Sequence, residues 1–131
     1  MGKLIKLKPE FIKPSQDFLK EGTIKFILSC YKEGKLDALP PAPIVRKQPG
    51  KPDTYIAIDG HNLLAVCEFF GKECEVYLAA SADDFLPNSE NKESISQRNK
   101  DLVDKYESSI EEAQKINLSF KELVDKYITK E

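Results

Sequence analysis

The chain has 131 residues, 40% of them hydrophobic and 32% charged, which is typical of one small globular domain with a well-charged surface. A formal net charge of −2 argues against strong, sequence-independent nucleic-acid binding. No apolar run reaches the length of a membrane span, and residues 1–6 lack the apolar stretch of a signal peptide. We therefore expect a cytoplasmic protein with no membrane contact.

The charge is unevenly distributed along the chain. Residues 1–47 carry ten Lys or Arg against five Asp or Glu, whereas residues 48–87 carry two against seven. The basic first third of the chain could therefore attract phosphate groups.

The three cysteines are an odd number and match no zinc or redox spacing. They are Cys30, Cys67 and Cys74, and no CxxC pair is present. We expect reduced, partly buried thiols in a reducing cytoplasm.

Alternation of side chains, capping residues and helix-stop glycines divide the first half of the chain into four elements. These are a strand at 4–7, a short helix at 16–19 begun by Pro14 and Ser15, a helix capped by Thr23 and ended by Gly34, and a strand at 44–46.

The next forty or so residues predict a strand, a helix and a strand. The first strand is 55–58, the helix runs from His61 to Phe70 and is ended by Gly71, and the last strand is 75–79. Residues 1–87 thus predict one α+β domain, with a small mixed sheet and helices packed on it.

Residues 88–131 form a charged helical extension by pattern. Ser94-x-x-Gln97 and Ser119-x-x-Glu122 each fit a capping box, which predicts two helices with a break near Asn117. An apolar stripe at helical spacing runs through Leu102, Val103, Tyr106, Ile110, Ala113 and Ile116. The stripe either packs back on the domain, which we favour slightly, or mediates homodimer or protein-partner contact through residues 94–131.

The segment most informative about function is Asp59-Gly60-His61-Asn62, which a strand delivers onto the first turn of a helix. Gly60 permits a sharp turn, and the free N–H groups of the helix start favour an anion. His61 could bind a phosphate or shuttle a proton, and Asp59 could orient a hydroxyl or hold a divalent cation. Without ligand chemistry, Asp59 is a helix cap, Gly60 a turn residue and His61 a partly exposed surface residue.

The segment 58–62, followed by Leu64-Ala65, resembles the Asp-Gly-His-Asn-Arg-Leu-Ala signature of ParB-like domains in the ParB/sulfiredoxin family. Residues 14–21 resemble the Pro-Thr-Gln stretch with which many of these domains begin. Gly34 followed by residues 41–45 resembles the family's approach to its second strand. These pieces occur in the family's order and cover residues 4–85, so the resemblance implies the ParB/sulfiredoxin fold.

The resemblance also implies a ligand, namely ATP, ADP or CTP, with Mg²⁺ as its companion. Gly60, His61 and Asn62 would contact the phosphates. Gln16 and Glu21 would lie on the neighbouring rim. Separately from the resemblance, the strand-to-helix punctuation by Gly60 predicts that residues 59–62 form a solvent-reachable pocket wall.

Two residues are candidates for catalysis under this resemblance. They are His61 and Glu21, the latter as a catalytic or metal-orienting carboxylate. One departure stands out, because Leu63 occupies the place of the family arginine and supplies no charged phosphate contact.

Three functions compete. The first is a nucleotide-binding domain with phosphotransferase, nucleotide hydrolase or nuclease-like activity, and the second is a catalytically inactive binding module acting through its C-terminal helices. The third, a DNA-segregation factor, is not favoured, because residues 88–131 are acidic on balance and lack a clear helix-turn-helix.

Overall fold

Five short strands pair into one mixed sheet in the computed structural model, within the residues that it describes, 2–85 and 96–128. They are β1 (Lys3–Leu7), β2 (Ile12–Lys13), β3 (Ile44–Lys47), β4 (Tyr55–Asp59) and β5 (Cys74–Leu78). Their order across the sheet is β1-β5-β3-β4-β2. The central strand β3 pairs parallel with β5 and antiparallel with β4, so the sheet is mixed, as predicted.

Four helices accompany the sheet in the described part of the chain. They are α1 (Glu21–Glu33), α2 (His61–Phe70), α3 (Gln97–Ile116) and α4 (Phe120–Tyr127), with short 3-10 turns at Pro9–Phe11, Leu36–Ala38 and Ala82–Phe85. The predicted ends of α1 at Gly34 and of α2 at Gly71 are confirmed. None of the described helices combines the length and apolar character that a bilayer crossing requires.

The two faces of the sheet bury separate hydrophobic clusters, because neighbouring residues of a strand point to opposite sides. On one face, Ala57 and Val45 pack in a core that also contains residues of α1, α2 and α4. On the other face, Ile58 packs with Phe85 and with Leu102 of α3. The C-terminal helices therefore lie on opposite sides of the sheet, and each completes one of the two clusters.

The predicted short helix at 16–19 is wrong, and so is the predicted helix cap at Thr23. Residues 14–20 are non-helical, and α1 begins at Glu21 with Lys20 as its N-cap. The segment instead directs its polar groups to distant partners. The hydroxyl of Ser15 donates to the Ala57 carbonyl, and the N–H of Lys20 donates to the side chain of Asn62. These tertiary hydrogen bonds replace those that a local helix would make.

The C-terminal segment follows its predicted pattern wherever the structure describes it. Asn117 ends α3 with a φ of 48°, and Ser119 and Glu122 form the predicted capping box. The other expected capping box begins at Ser94, which lies outside the described residues, and the N-cap of α3 is Ser96. The apolar stripe packs back on the domain, with Leu102 and Ala113 buried, as we favoured. The three cysteines are free and buried.

Candidate functional site

The predicted strand–turn–helix is confirmed, with β4 ending at Asp59 and α2 beginning at His61. Gly60 is the N-cap of α2 and has a φ of 86°, a conformation that residues with a side chain rarely adopt. A Cβ at this position would lie only 2.7 Å from the Cα of Pro43. Glycine is therefore required here twice over, by the backbone conformation and by the close approach of the chain before β3.

Asp59 is held by two cations of α3. One oxygen of its carboxylate lies 3.1 Å from Nη2 of Arg98 and the other lies 3.6 Å from Nζ of Lys105. The Asp59 side chain is 30% exposed, so these ion pairs are only partly shielded from water. The expectation that Asp59 caps α2 is wrong, since Gly60 is the N-cap, and the carboxylate instead attaches α3 to the end of β4.

His61 is buried, with only 3% of its surface exposed, so the expectation of a surface histidine is wrong. Its Nε2 accepts a hydrogen bond of 3.0 Å from the backbone N–H of Ser15, and its ring lies 5.8 Å from that of Phe120 in α4. Burial lowers the pKa of His61 from 6.5 to about 4. The imidazole is thus neutral at pH 7. Its Nε2 atom faces the backbone of Ser15, and its ring lies beside that of Phe120.

Asn62 and the two predicted rim residues, Gln16 and Glu21, differ in their contacts. The Oδ1 atom of Asn62 accepts from the N–H of Lys20 at 2.9 Å, which fixes the chain just before α1. Gln16 donates to the Phe18 carbonyl and lines a small pocket beside the turn. Glu21 is exposed at the start of α1, and no described hydrogen bond or ion pair joins its carboxylate to the turn.

Asp59, Gly60 and Asn62 are half-buried, so solvent reaches the turn, whereas His61 is buried. Among the described residues, a pocket of about 110 Å³ lies beside the turn, much smaller than the cavities that usually hold drug-sized ligands. Its lining combines residues before α1, the end of β4 and one face of α3: Ser15, Gln16, Ile58, Lys105, Ser108, Ser109 and Glu112. The pocket is small because α3 docks on one side of the turn and α4 on the other. Pattern analysis of residues 55–66 alone cannot show this docking.

Leu63 does not occupy a phosphate-facing position. It is 7% exposed and belongs to the hydrophobic core. The cations that pair with Asp59 in the turn are Arg98 and Lys105 of α3, which sequence analysis did not single out. Their spacing of seven residues, two turns of one helix face, is the signal that could have suggested a shared target.

No group of His, Cys, Asp and Glu side chains in the described part of the chain is arranged to hold a metal ion. The chain matches no family model, no curated protein and no solved structure. The ParB-like resemblance of residues 58–62 stays a prediction that rests on its motifs, and the roles of the site residues rest on their contacts.

Proposed function

We propose that this chain is a nucleotide-binding module of the ParB-like type that does not transfer a phosphoryl group at its Asp-Gly-His-Asn turn. One observation carries this proposal: the polar side chains of the turn are already engaged with protein. Asp59 pairs with α3, His61 accepts from Ser15, and Asn62 accepts from Lys20. The motif holds α3 and residues 14–20 against the start of α2.

The requirements of phosphoryl transfer favour a binding module over an enzyme. A general acid or base needs a pKa near the working pH and must reach the reacting atoms. His61 has a pKa of about 4, and its Nε2 is occupied by a backbone donor. Transfer also needs cations on the phosphates, and those beside the turn are paired with Asp59.

The ligand class follows from the resemblance and from the charge distribution. ATP, ADP or CTP, with Mg²⁺ as a companion ion, suits the basic first third of the chain. A protein partner or a second copy would meet the outer, charged face of α3, because Leu102 and Ala113 of the apolar stripe are buried. DNA is not favoured, for the reasons of charge given above.

A second candidate, a phosphotransferase or nucleotide hydrolase, is favoured by one contact. Arg98 and Lys105 reach the Asp59 carboxylate of the turn from α3. In this alternative, α3 supplies the phosphate-binding cations, and a nucleotide displaces the Asp59 carboxylate from them. Glu21, exposed at the start of α1, would then be the carboxylate that acts on the acceptor or the metal.

The deciding experiment combines calorimetric titration of the full chain with ATP, ADP and CTP, with and without Mg²⁺, and an assay of phosphate release. The proposal expects binding without turnover, and Glu21→Gln should leave the affinity unchanged because Glu21 is exposed and makes no described contact with the turn. Turnover that falls in Glu21→Gln while affinity stays constant would favour the second candidate, since that pattern marks an interaction made in the transition state. If no nucleotide binds, the ligand class is wrong.

A further inference from the structure

A cavity of about 440 Å³ lies where β5 ends beside β3. Leu78, the last residue of β5, pairs with Val45, so the final two residues of β3, Arg46 and Lys47, extend past the end of β5. The N–H of Ala79 continues the pairing by donating to the Val45 carbonyl at 2.9 Å. The volume of the cavity is within the range of small-molecule sites.

The lining of this cavity, which we call the basic pocket, has a single sign of charge. It consists of Lys3, Arg46, Lys47, Pro49, Leu78, Ala79, Ala80 and Tyr106. Among the described residues, no Asp or Glu lines it, and none of its three cations forms an ion pair. Residues 59–62 are not part of the lining, so the basic pocket is separate from the Asp-Gly-His-Asn turn. Cations that line a concave surface without a carboxylate partner attract anions.

Arg46 is held in position before any ligand arrives. Its Nη1 donates to the Tyr106 carbonyl at 3.1 Å, and its guanidinium lies 4.1 Å from the centroid of the Tyr106 ring. The Tyr106 hydroxyl in turn donates to the Ala80 carbonyl at 3.3 Å. Within the described part of the chain, Nη2 of Arg46 has no hydrogen-bond partner, so it is available to a ligand. A guanidinium fixed in this way loses little conformational freedom when it binds an anion.

The donors of the basic pocket favour a carboxylate over a phosphate. Phosphate sites are commonly built from free backbone N–H groups at helix N-termini or in backbone nests. Here the N–H of Ala79 already donates to the Val45 carbonyl. The N–H of Ala80 donates to the carboxylate of Asp84. The donors that remain are side-chain cations, and among them the planar fork of a guanidinium matches a planar carboxylate.

We propose that the basic pocket binds a small organic carboxylate. Its charged group would pair with Lys3, Arg46 and Lys47, and its apolar body would pack against Pro49 and Leu78. Burial of that body adds to the affinity that the ion pairs provide. The inference goes beyond the proposed function and does not depend on it, because a nucleotide at the Asp-Gly-His-Asn turn would occupy a different site.

Three probes separate the charge of the ligand from its apolar body. Benzoate has both, benzamide has nearly the same shape without the charge, and acetate has the charge without the ring. In amide chemical-shift titrations of the full chain, benzoate should shift the signals of Lys47, Ala79 and Ala80 and saturate, and the other two should bind more weakly. Benzamide that binds as tightly as benzoate would overturn the inference, because the cations would then contribute nothing. Benzoate shifts centred on His61 and Asn62 would also overturn it.

Two double variants that lose the same charge test the cations directly. Lys3→Ala with Lys47→Ala removes two cations of the basic pocket. Lys6→Ala with Lys25→Ala removes two exposed lysines outside it, one of them on the same strand as Lys3. At low salt, the pocket variant should bind benzoate at least about fivefold more weakly than the parent, and the control should stay close to the parent. Equal affinities in the two double variants would overturn the inference.

A fourth probe tests the class of the anion. Benzenesulfonate carries the same single charge and the same ring as benzoate on a tetrahedral head, and it should bind more weakly. Benzenesulfonate that binds as tightly as benzoate would overturn the assignment to a carboxylate. Failure here is distinct from failure of the proposed function, since the calorimetric titrations with nucleotides report on the latter alone. Benzoate that shifts none of the pocket signals overturns this inference and leaves the nucleotide-binding module as it stands.

Discussion

The Nε2 atom of His61 accepts a hydrogen bond of 3.0 Å from the backbone N–H of Ser15. A backbone amide can only donate, so this nitrogen carries a lone pair and the proton of the neutral ring is on Nδ1. The Ser15 hydroxyl donates to the Ala57 carbonyl at 2.6 Å, which fixes the partner in turn. His61 is thereby an acceptor that joins the segment before α1 to the start of α2.

Protonation of His61 should destabilise the protein as the pH falls from about 6.5 to about 4. Burial depresses the folded-state pKa to about 4 from 6.5, so between those values the unfolded chain binds the proton more readily. The stabilisation is complete above pH 6.5 and is lost as the pH falls through 4. It amounts to about 3 kcal/mol in full. Urea unfolding across this window should show a flatter pH dependence for His61→Gln than for the parent, and equal slopes would contradict the assignment.

Leu63→Arg should destabilise the fold and leave nucleotide affinity unimproved. Leu63 is 7% exposed in the core, so an arginine there buries a charge with no partner, at a cost of about 3 kcal/mol or more. The control is Leu4→Arg, because Leu4 is 58% exposed and should accept the charge with little loss. Thermal unfolding and ATP titration of both variants check this. A stable Leu63→Arg protein with tighter nucleotide binding would return Leu63 to the phosphate-facing position.

The attachment of α3 to Asp59 should be measurable but weak. The side chains of Arg98 and Asp59 are 64% and 30% exposed, so solvent screens the pair and its coupling should be about 0.5–1 kcal/mol. A double-mutant cycle of Asp59→Asn and Arg98→Ala, read by urea unfolding at low and high salt, gives this value. The Lys115 and Glu111 pair, wholly within α3, is the comparison, since breaking it should not affect docking. Hydrogen exchange of α3 should accelerate only in the Asp59 and Arg98 variants.

The sequence predicts the elements whose signals are local. Strand β4, helix α2 with its stop at Gly71, and the break at Asn117 each follow from periodicity or from a capping residue, and each is confirmed. Residues 14–20 carry the same kind of local signal for a helix, but hydrogen bonds from Ser15 and Lys20 to distant partners override it.

The environment of the candidate site could not be predicted in the same way, because distant elements create it. The burial of His61 depends on Phe120, which lies 59 residues further along the chain. The ion pairs of Asp59 are made with Arg98 and Lys105 of α3. Neither relationship leaves a pattern in residues 55–66, whereas the motif itself is visible there.

Gly60→Ala should be more costly than Gly71→Ala, although both glycines have a positive φ, of 86° and 67°. Each substitution should cost about 1 kcal/mol for placing a side chain in the left-handed region. At Gly71 nothing lies within 4 Å of the new Cβ, whereas at Gly60 the Cβ would meet the backbone of Pro43 at 2.7 Å. Because backbone cannot yield as a side-chain tip does, we expect a further loss of about 1–3 kcal/mol at Gly60. Urea unfolding of the two variants measures the difference, and equal losses would mean that the chain before β3 does not press against the turn.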